Sequence, residues 1–294
     1  MSPTIVCAIE DSARSRAALR VSAEVADRLG MSMVGVHVIP PASVTTAAGF
    51  PHPVATAEPH LERRERAAAE RAEEVLCAAG LDEAPVHTAY GSASEVLLGA
   101  AVEEDAAMVA LATSGSGVVR ALLEGSVTGA LLRLAPVPVL AISPQAQAAP
   151  ARGPVVAAVA GPADASWIPV AERFALAHGG DLVLAHVIEG GDDAADDPAL
   201  AEASSRSEAF DPALEALDTT ELLVGMRVCS GAVHDALLAL AGACEASVLI
   251  AGSRGHGTLH AAMVGSTARR LVADAEVPVV VCPRDRNLTG WRTT

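Results

Sequence analysis

The sequence predicts an α/β protein of two tandem doubly wound domains, each a parallel sheet with helices on both faces. Two observations carry this. LATSGSGVVRALLEGSVT (111–128) returns as AGSRGHGTLHAAMVGSTA (251–268), so that Gly115 with Gly125-Ser126 and Gly255 with Gly265-Ser266 keep one spacing at an offset of 140 residues. Within each copy, short apolar runs alternate with helical patterns, as parallel strands joined by crossover helices require.

The duplication extends beyond that block. VPVLAI (137–142) matches VPVVVC (277–282), and GSASEVLLGAA (91–101) matches GAVHDALLALA (231–241), both at the same offset. HVI (37–39) matches HVI (186–188) at an offset of 149, so the second copy has lost nine residues in between. Domains at 1–145 and 154–294 follow, with 146–153 as the linker inside SPQAQAAPARGP (143–154). Each is a normal size for one core.

In the first half TIVCAI (4–9) is a strand. Residues 11–30 form a helix with Ala18, Val21, Val25 and Leu29 on one face, Asp11 or Ser12 as cap and Gly30 as stop. MSMVGVHVI (31–39) is the second strand, and the Pro-, Ala- and Thr-rich stretch 40–59 is a loop. The helix over 61–80 interleaves Arg63, Arg64, Arg66 and Arg71 with Glu62, Glu65, Glu70, Glu73 and Glu74, a solvated ion-pair face. Strand 84–90, helix 94–105, strand 107–112, the glycine loop, helix 127–135 and strand 137–142 complete five β/α units. The second half repeats the order from GPVVAAVA (153–160). Its first helix aligns Trp167, Val170 and Phe174, with Pro169 in the first turn where a missing N–H costs little. An acidic loop over 189–213 replaces the Pro-rich one.

Composition narrows the function. The chain is 51% hydrophobic but only 2% aromatic, which suits a sheet covered by Ala-rich helices. No run approaches the roughly 18 apolar residues of a membrane span, and MSPTIVCAIEDS lacks the features of a signal peptide, so the cytoplasm is expected. A net charge of −16, partly concentrated in EGGDDAADDP (189–198), argues against nucleic acid and anionic membrane as partners. The chain has no lysine, which excludes a P-loop, and GSRGHG (252–257) has the wrong glycine order for a dinucleotide fingerprint. Cys7, Cys77, Cys229, Cys244 and Cys282 are scattered without a C-x-x-C pair and read as reduced core thiols.

The glycine spacing has its own physical logic. Gly252 and Gly255 end a buried strand and let backbone approach a phosphate with no Cβ in the way. Gly265-Ser266 then opens a helix whose free N–H groups and dipole favour an anion. The alternative reading is that these glycines only make turns and a cap.

Five β/α units ending in G-x2-G-x9-G-[ST], a helix and a V-P-V strand resemble the universal stress protein family, here as a tandem pair over almost the whole chain. The resemblance implies an adenine nucleotide alpha hydrolase-like fold, a five-stranded parallel sheet in each half with nucleotide at the C-terminal strand ends. The implied ligand is ATP or a related adenine nucleotide, cyclic AMP included, with Mg2+ as a candidate companion. Carried over by position, the second half offers Val187, Gly252, Ser253, Arg254, Gly255, His256, Gly265, Ser266 and Thr267. The first half offers Glu10, Val38, Ala112, Gly115, Gly125, Ser126, Val127 and Thr128. Its phosphate loop is degenerate, with Ala112 in place of a glycine and Ser114 in place of an arginine. The opposite wall shows the reverse bias. The first half reads IEDS after its first strand, with Glu10 where the family commonly has an acid beside adenosine, whereas the second reads VAGP and has Ala160. Val38 and Val187 match the family position whose backbone reads adenine.

His37 and His186 read as structural residues at strand ends, and Trp291 in the polar tail tells little. His256 and His260 are spaced for one helix face but lack a third ligand nearby, so no metal site is expected. No catalytic residue stands out. A nucleotide-dependent regulatory protein, a weak ATPase or phosphotransferase, and a ligand-free scaffold all remain open, although the glycine loop supplies neither a base nor a metal-binding acid. The apolar closing strands at 137–142 and 277–282 would aggregate if left open. Family members commonly pair them, which implies packing of the halves about a pseudo-twofold axis, with a homodimer as a further possible assembly.

Overall fold

The computed structural model describes residues 2–40, 58–113, 126–148, 152–188, 209–218, 221–253, 265–283, 288 and 291. The first half runs β1 (Thr4–Ile9), α1 (Ala13–Leu29), β2 (Ser32–Ile39), α2 (Glu58–Ala79), β3 (Val86–Tyr90), α3 (Ala93–Glu103), β4 (Ala106–Ala112), α4 (Val127–Leu134) and β5 (Val139–Ile142). The second runs β6 (Val155–Ala158), α5 (Ile168–His178), β7 (Leu182–Ile188), α6 (Asp211–Glu215), β8 (Val224–Ser230), α7 (Val233–Ala243), β9 (Val248–Gly252), α8 (Ser266–Asp274) and β10 (Val279–Cys282).

All ten strands form one sheet in the order β3-β2-β1-β4-β5-β10-β9-β6-β7-β8. Neighbours within each half are parallel, and β5 meets β10 antiparallel. The expected pairing of the closing strands is therefore present. Leu140 pairs with Val280, Val139 with Val281 and Ala141 with Val279. Leu140 and Val280 are counterparts in the duplication, so the local twofold passes between them, and the contact is self-complementary. Two apolar edges thereby cover each other, leaving β3 and β8 at the ends of the sheet.

Side chains alternate along each strand and divide the core between two faces. Leu140, Ile142, Val280 and Cys282 point to the face where α1, α2 and α5 pack. Val139, Ala141, Val279 and Val281 point to the face covered by α3, α4, α7 and α8. Both cores cross from one half to the other without a gap. The linker joins in, because a tight turn over 145–148 carries Ala146 into the first core.

Local chemistry sets the element ends. Ser12 caps α1 by accepting from the Ser15 N–H, and Gly30 closes it at φ 65, a left-handed conformation suited to glycine. The second half departs from its predicted outline in two places. A short turn over Pro162–Ser166 precedes α5, which has 11 residues against 17 in α1. The loop expected over 189–213 gives way to α6 at its end, where Phe210 and Ala213 are buried, with Pro212 in the first turn of the helix. The charged face of α2 also does more than sit in solvent: Arg64 donates to the Pro40 carbonyl at 3.1 Å and lies over the Tyr90 ring at 5.7 Å.

Trp291 is more informative than its polar surroundings suggested. It is only 4% exposed and stacks on Phe174 at 6.0 Å, with the Arg173 guanidinium 5.7 Å from its own ring. Arg173 also donates to the Leu29 carbonyl at the end of α1, at 3.1 Å, so the tail and both halves meet at one point. His178 stacks on Phe174 as well and donates from Nδ1 to the Phe174 carbonyl at 2.8 Å. Burial holds this imidazole below its usual 6.5, against the opposing pull of that carbonyl and with a smaller push from Arg28. The unfolded chain then binds the proton more readily, so stability is expected to fall as pH drops below 6.5 and to be flat above it. Urea midpoints of the wild type and His178→Gln across that range check this. An identical slope in the variant assigns the pH dependence elsewhere.

Candidate functional site

Strand order reverses between β1 and β4, and a doubly wound sheet leaves a crevice outside the strand ends at such a point. A cavity of about 380 Å³ lies there in the first half, within the usual range for small-molecule sites. Val36, Leu97 and Leu111 supply apolar wall, and Val38 and His37 close the β2 side. Glu10, Asp11 and Arg14 line the rim after β1. Ala112 and Thr113 end β4, and Ser126, Val127 and Thr128 begin α4. Ala112 thus lines the cavity.

The turn after β1 is built by hydroxyls. Glu10 N–H donates to Ser15 Oγ at 2.9 Å and Ser15 N–H to Ser12 Oγ at 3.0 Å, while the Glu10 residue stays exposed at the rim. His37 donates from Nδ1 to the Ile9 carbonyl at 3.1 Å, and His186 does the same to Val159 at 2.9 Å. Both imidazoles thus tie strand ends together, and His37 also lines the cavity. At α4, Ser126 Oγ accepts from the Gly129 N–H at 3.1 Å. Val127 and Thr128 carry first-turn N–H groups that no carbonyl inside the helix accepts.

The second half differs on both walls. Gly265 N–H donates to the Ser253 carbonyl at 2.9 Å, and Ser253 N–H donates to Cys282 at 2.8 Å, which fixes the start of α8 against the end of β9. Gly265 occupies the cap position of α8 and has no side chain to offer. The cap residue therefore brings no side-chain acceptor to the first-turn donors of Ser266 and Thr267. On the other wall Ala160 brings no carboxylate, but one arrives from Asp164. Its Oδ2 accepts from the N–H of Ala160 at 2.7 Å and of Gly161 at 3.2 Å, and its Oδ1 accepts from Trp167 Nε1 at 3.1 Å. Sequence reasoning missed this residue, although an acid three positions after a helix-opening Gly-Pro is a recognisable capping signal.

The Universal stress protein family model matches residues 1–143 and 153–283. The chain belongs to the universal stress protein family. A universal stress protein of Mycolicibacterium smegmatis is 30% identical over 291 residues, covering 94% of this chain and 96% of the relative. A crystal structure of a universal stress protein from Archaeoglobus fulgidus shares the fold with a TM-score of 0.67 at 20% identity, over 96% of this chain and 99% of that one. A functionally unknown protein from Pseudomonas aeruginosa matches at a TM-score of 0.58 and 16% identity, over 99% and 95%.

In this universal stress protein the structure brings Glu10, Val38, Ala112, Ser126, Val127 and Thr128 around one cavity. Gly252, Ser253, Gly265, Ser266 and Thr267 gather where β9 meets α8, and Val187 lies near the end of β7. Arg254, Gly255, His256 and His260, like Ser114, Gly115 and Gly125, lie outside the described residues. Among the described residues no group of three or more His, Cys, Asp or Glu side chains converges on a metal position, and no helix is long and apolar enough to cross a membrane. All five cysteines are free, but only Cys7 and Cys282 are core thiols. Burial pushes Cys7 up to about 12 and Cys282 higher still, with Asp164 adding to the second, so both are inert. Cys77 is exposed on the last turn of α2, a correction to its expected burial, and Cys229 and Cys244 are half-buried.

Proposed function

We propose that this universal stress protein is a cytoplasmic regulatory protein that binds an adenine nucleotide, most tightly ATP. The carrying observation is a small-molecule-sized cavity at the reversal point of strand order, with apolar walls for a base and a helix N-terminus on one side for an anion. The second half supports the triphosphate assignment, since α8 opens on a glycine with no side-chain cap. Mg2+ would accompany the phosphates, held by them and by water. Mass spectrometry of small molecules released by denaturing the purified protein tests the reading directly. Titration with ATP, AMP, cyclic AMP and adenosine ranks the ligands, and an ATP turnover assay separates binding from hydrolysis. Absence of both copurified nucleotide and measurable binding would leave the scaffold reading.

Arg254 is the best-placed cation for the terminal phosphates in a chain without lysine. A charge-assisted hydrogen bond of this kind is worth about 1.5–3 kcal/mol. Arg254→Ala is expected to weaken ATP by roughly tenfold or more while leaving adenosine nearly unchanged. Equal losses for both ligands in calorimetry would show that the arginine shapes the loop and does not meet phosphate.

A further inference from the structure

The helix α8 has nine residues, too few to persist alone in water. Where its N-terminus sits is therefore decided by what holds the rest of it. Ala268, Leu271 and Val272 bury one face. The last carbonyls of a helix have no donors within it, and here no glycine closes the end, because Ala275 is extended at φ −68 and ψ 139. The donors come from the other half of the chain. Ser143 Oγ–H donates to the Ala275 carbonyl at 2.7 Å, and Thr113 Oγ1–H to the Val272 carbonyl at 3.4 Å.

These two bonds are unequal. The Thr113 bond is near the limit of useful length, whereas the Ser143 bond is short and its residue only 2% exposed. Ser143 Oγ also accepts from the Ala146 N–H at 3.0 Å, which leaves its own proton for Ala275. The tie runs in one direction. The counterpart of Ser143 in the duplication is Pro283, which has no hydroxyl to offer the end of α4.

We propose that Ser143 is a positioning residue for the nucleotide site of the second half. It acts across the seam between the halves by fixing the C-terminal turn of α8, so that the N-terminal turn stays against Ser253. Ser143 meets α8 at the Ala275 carbonyl, the end opposite the turn at Ser266 and Thr267, so its effect reaches the ligand through the helix. The inference rests on the reading of the α8 N-terminus as the phosphate-facing end.

The test uses the full chain with Ser143→Ala and Ser143→Thr. Calorimetry should show ATP bound about three- to tenfold more weakly by Ser143→Ala, adenosine unchanged, and ATP affinity restored by Ser143→Thr. In a Gly265→Asp background Ser143→Ala should add no further loss. A lower melting temperature with an unchanged ratio of ATP to adenosine affinity would overturn the proposal, since it would show a structural role alone. Amide hydrogen exchange of residues 265–268 without ligand supplies a second readout, expected to quicken in Ser143→Ala and recover in Ser143→Thr. If the wild type bound no adenine nucleotide, the functional reading would fall by itself. Unchanged exchange in Ser143→Ala would then still overturn the positioning role.

Discussion

Leu140→Asp is expected to yield no stably folded protein. Leu140 is fully buried and pairs with Val280 at the local twofold, where both apolar cores pass from one half to the other. Truncating a buried leucine costs about 2–5 kcal/mol through lost burial and the cavity left behind. A carboxylate at the same place adds desolvation with no partner in reach, so the combined cost approaches the 5–15 kcal/mol that holds a typical protein together. Leu140→Met keeps the volume and should cost less than about 1.5 kcal/mol. Urea unfolding of both variants, with soluble yield as a companion measurement, gives the comparison. If Leu140→Asp unfolds at the wild-type midpoint, the seam between β5 and β10 is not where the halves depend on each other.

Leu140 also shows why the architecture was legible in the sequence. Strand identity rested on short apolar runs, and the repeat gave the same order twice, so a parallel sheet in each half followed from connectivity alone. The seam could be anticipated because two apolar closing strands needed partners and the family resemblance implied pairing them about a pseudo-twofold axis. What the sequence concealed depended on distant residues meeting. Trp291 sits among polar neighbours in the chain, and only the packing of α5 reveals its stack on Phe174. Asp164 carries a local capping signal after Gly161-Pro162, but its bond to the Trp167 indole is visible only in the folded turn. Ser143 opens the Ala- and Pro-rich stretch between the halves and carried no signal there, since its acceptor lies 132 residues away. The glycines of the candidate site were readable for the opposite reason: their chemistry is local, a strand end followed by a helix start, and spacing records it.

The second large effect is expected from Gly265→Asp. Gly265 caps α8 at φ −56 and ψ 142, a backbone any residue adopts, so the substitution brings no backbone strain. Aspartate is moreover among the preferred helix caps, accepting first-turn N–H groups that glycine leaves open. The helix should therefore remain in place or gain stability, while a fixed carboxylate takes the donors that a phosphate would use and repels the anion. Losing even one or two charge-assisted bonds at about 1.5–3 kcal/mol each weakens ATP by roughly tenfold to more than a hundredfold. Isolated halves are poor material for this test, because separating them uncovers Leu140, Val139 and Ile142 along a bare strand edge. The full chain is the better substrate, with Gly125→Asp as the equivalent substitution in the first half. There Ser126 Oγ already occupies the Gly129 N–H, and Ala112 and Ser114 stand where the second half has a glycine and an arginine, so Gly125→Asp should cost little ATP affinity. Calorimetric titration with ATP and a thermal melt of each variant decide between the sites. A Gly265→Asp protein that melts like the wild type and still binds ATP as tightly, or a Gly125→Asp protein that loses binding, would move the principal site to the first half.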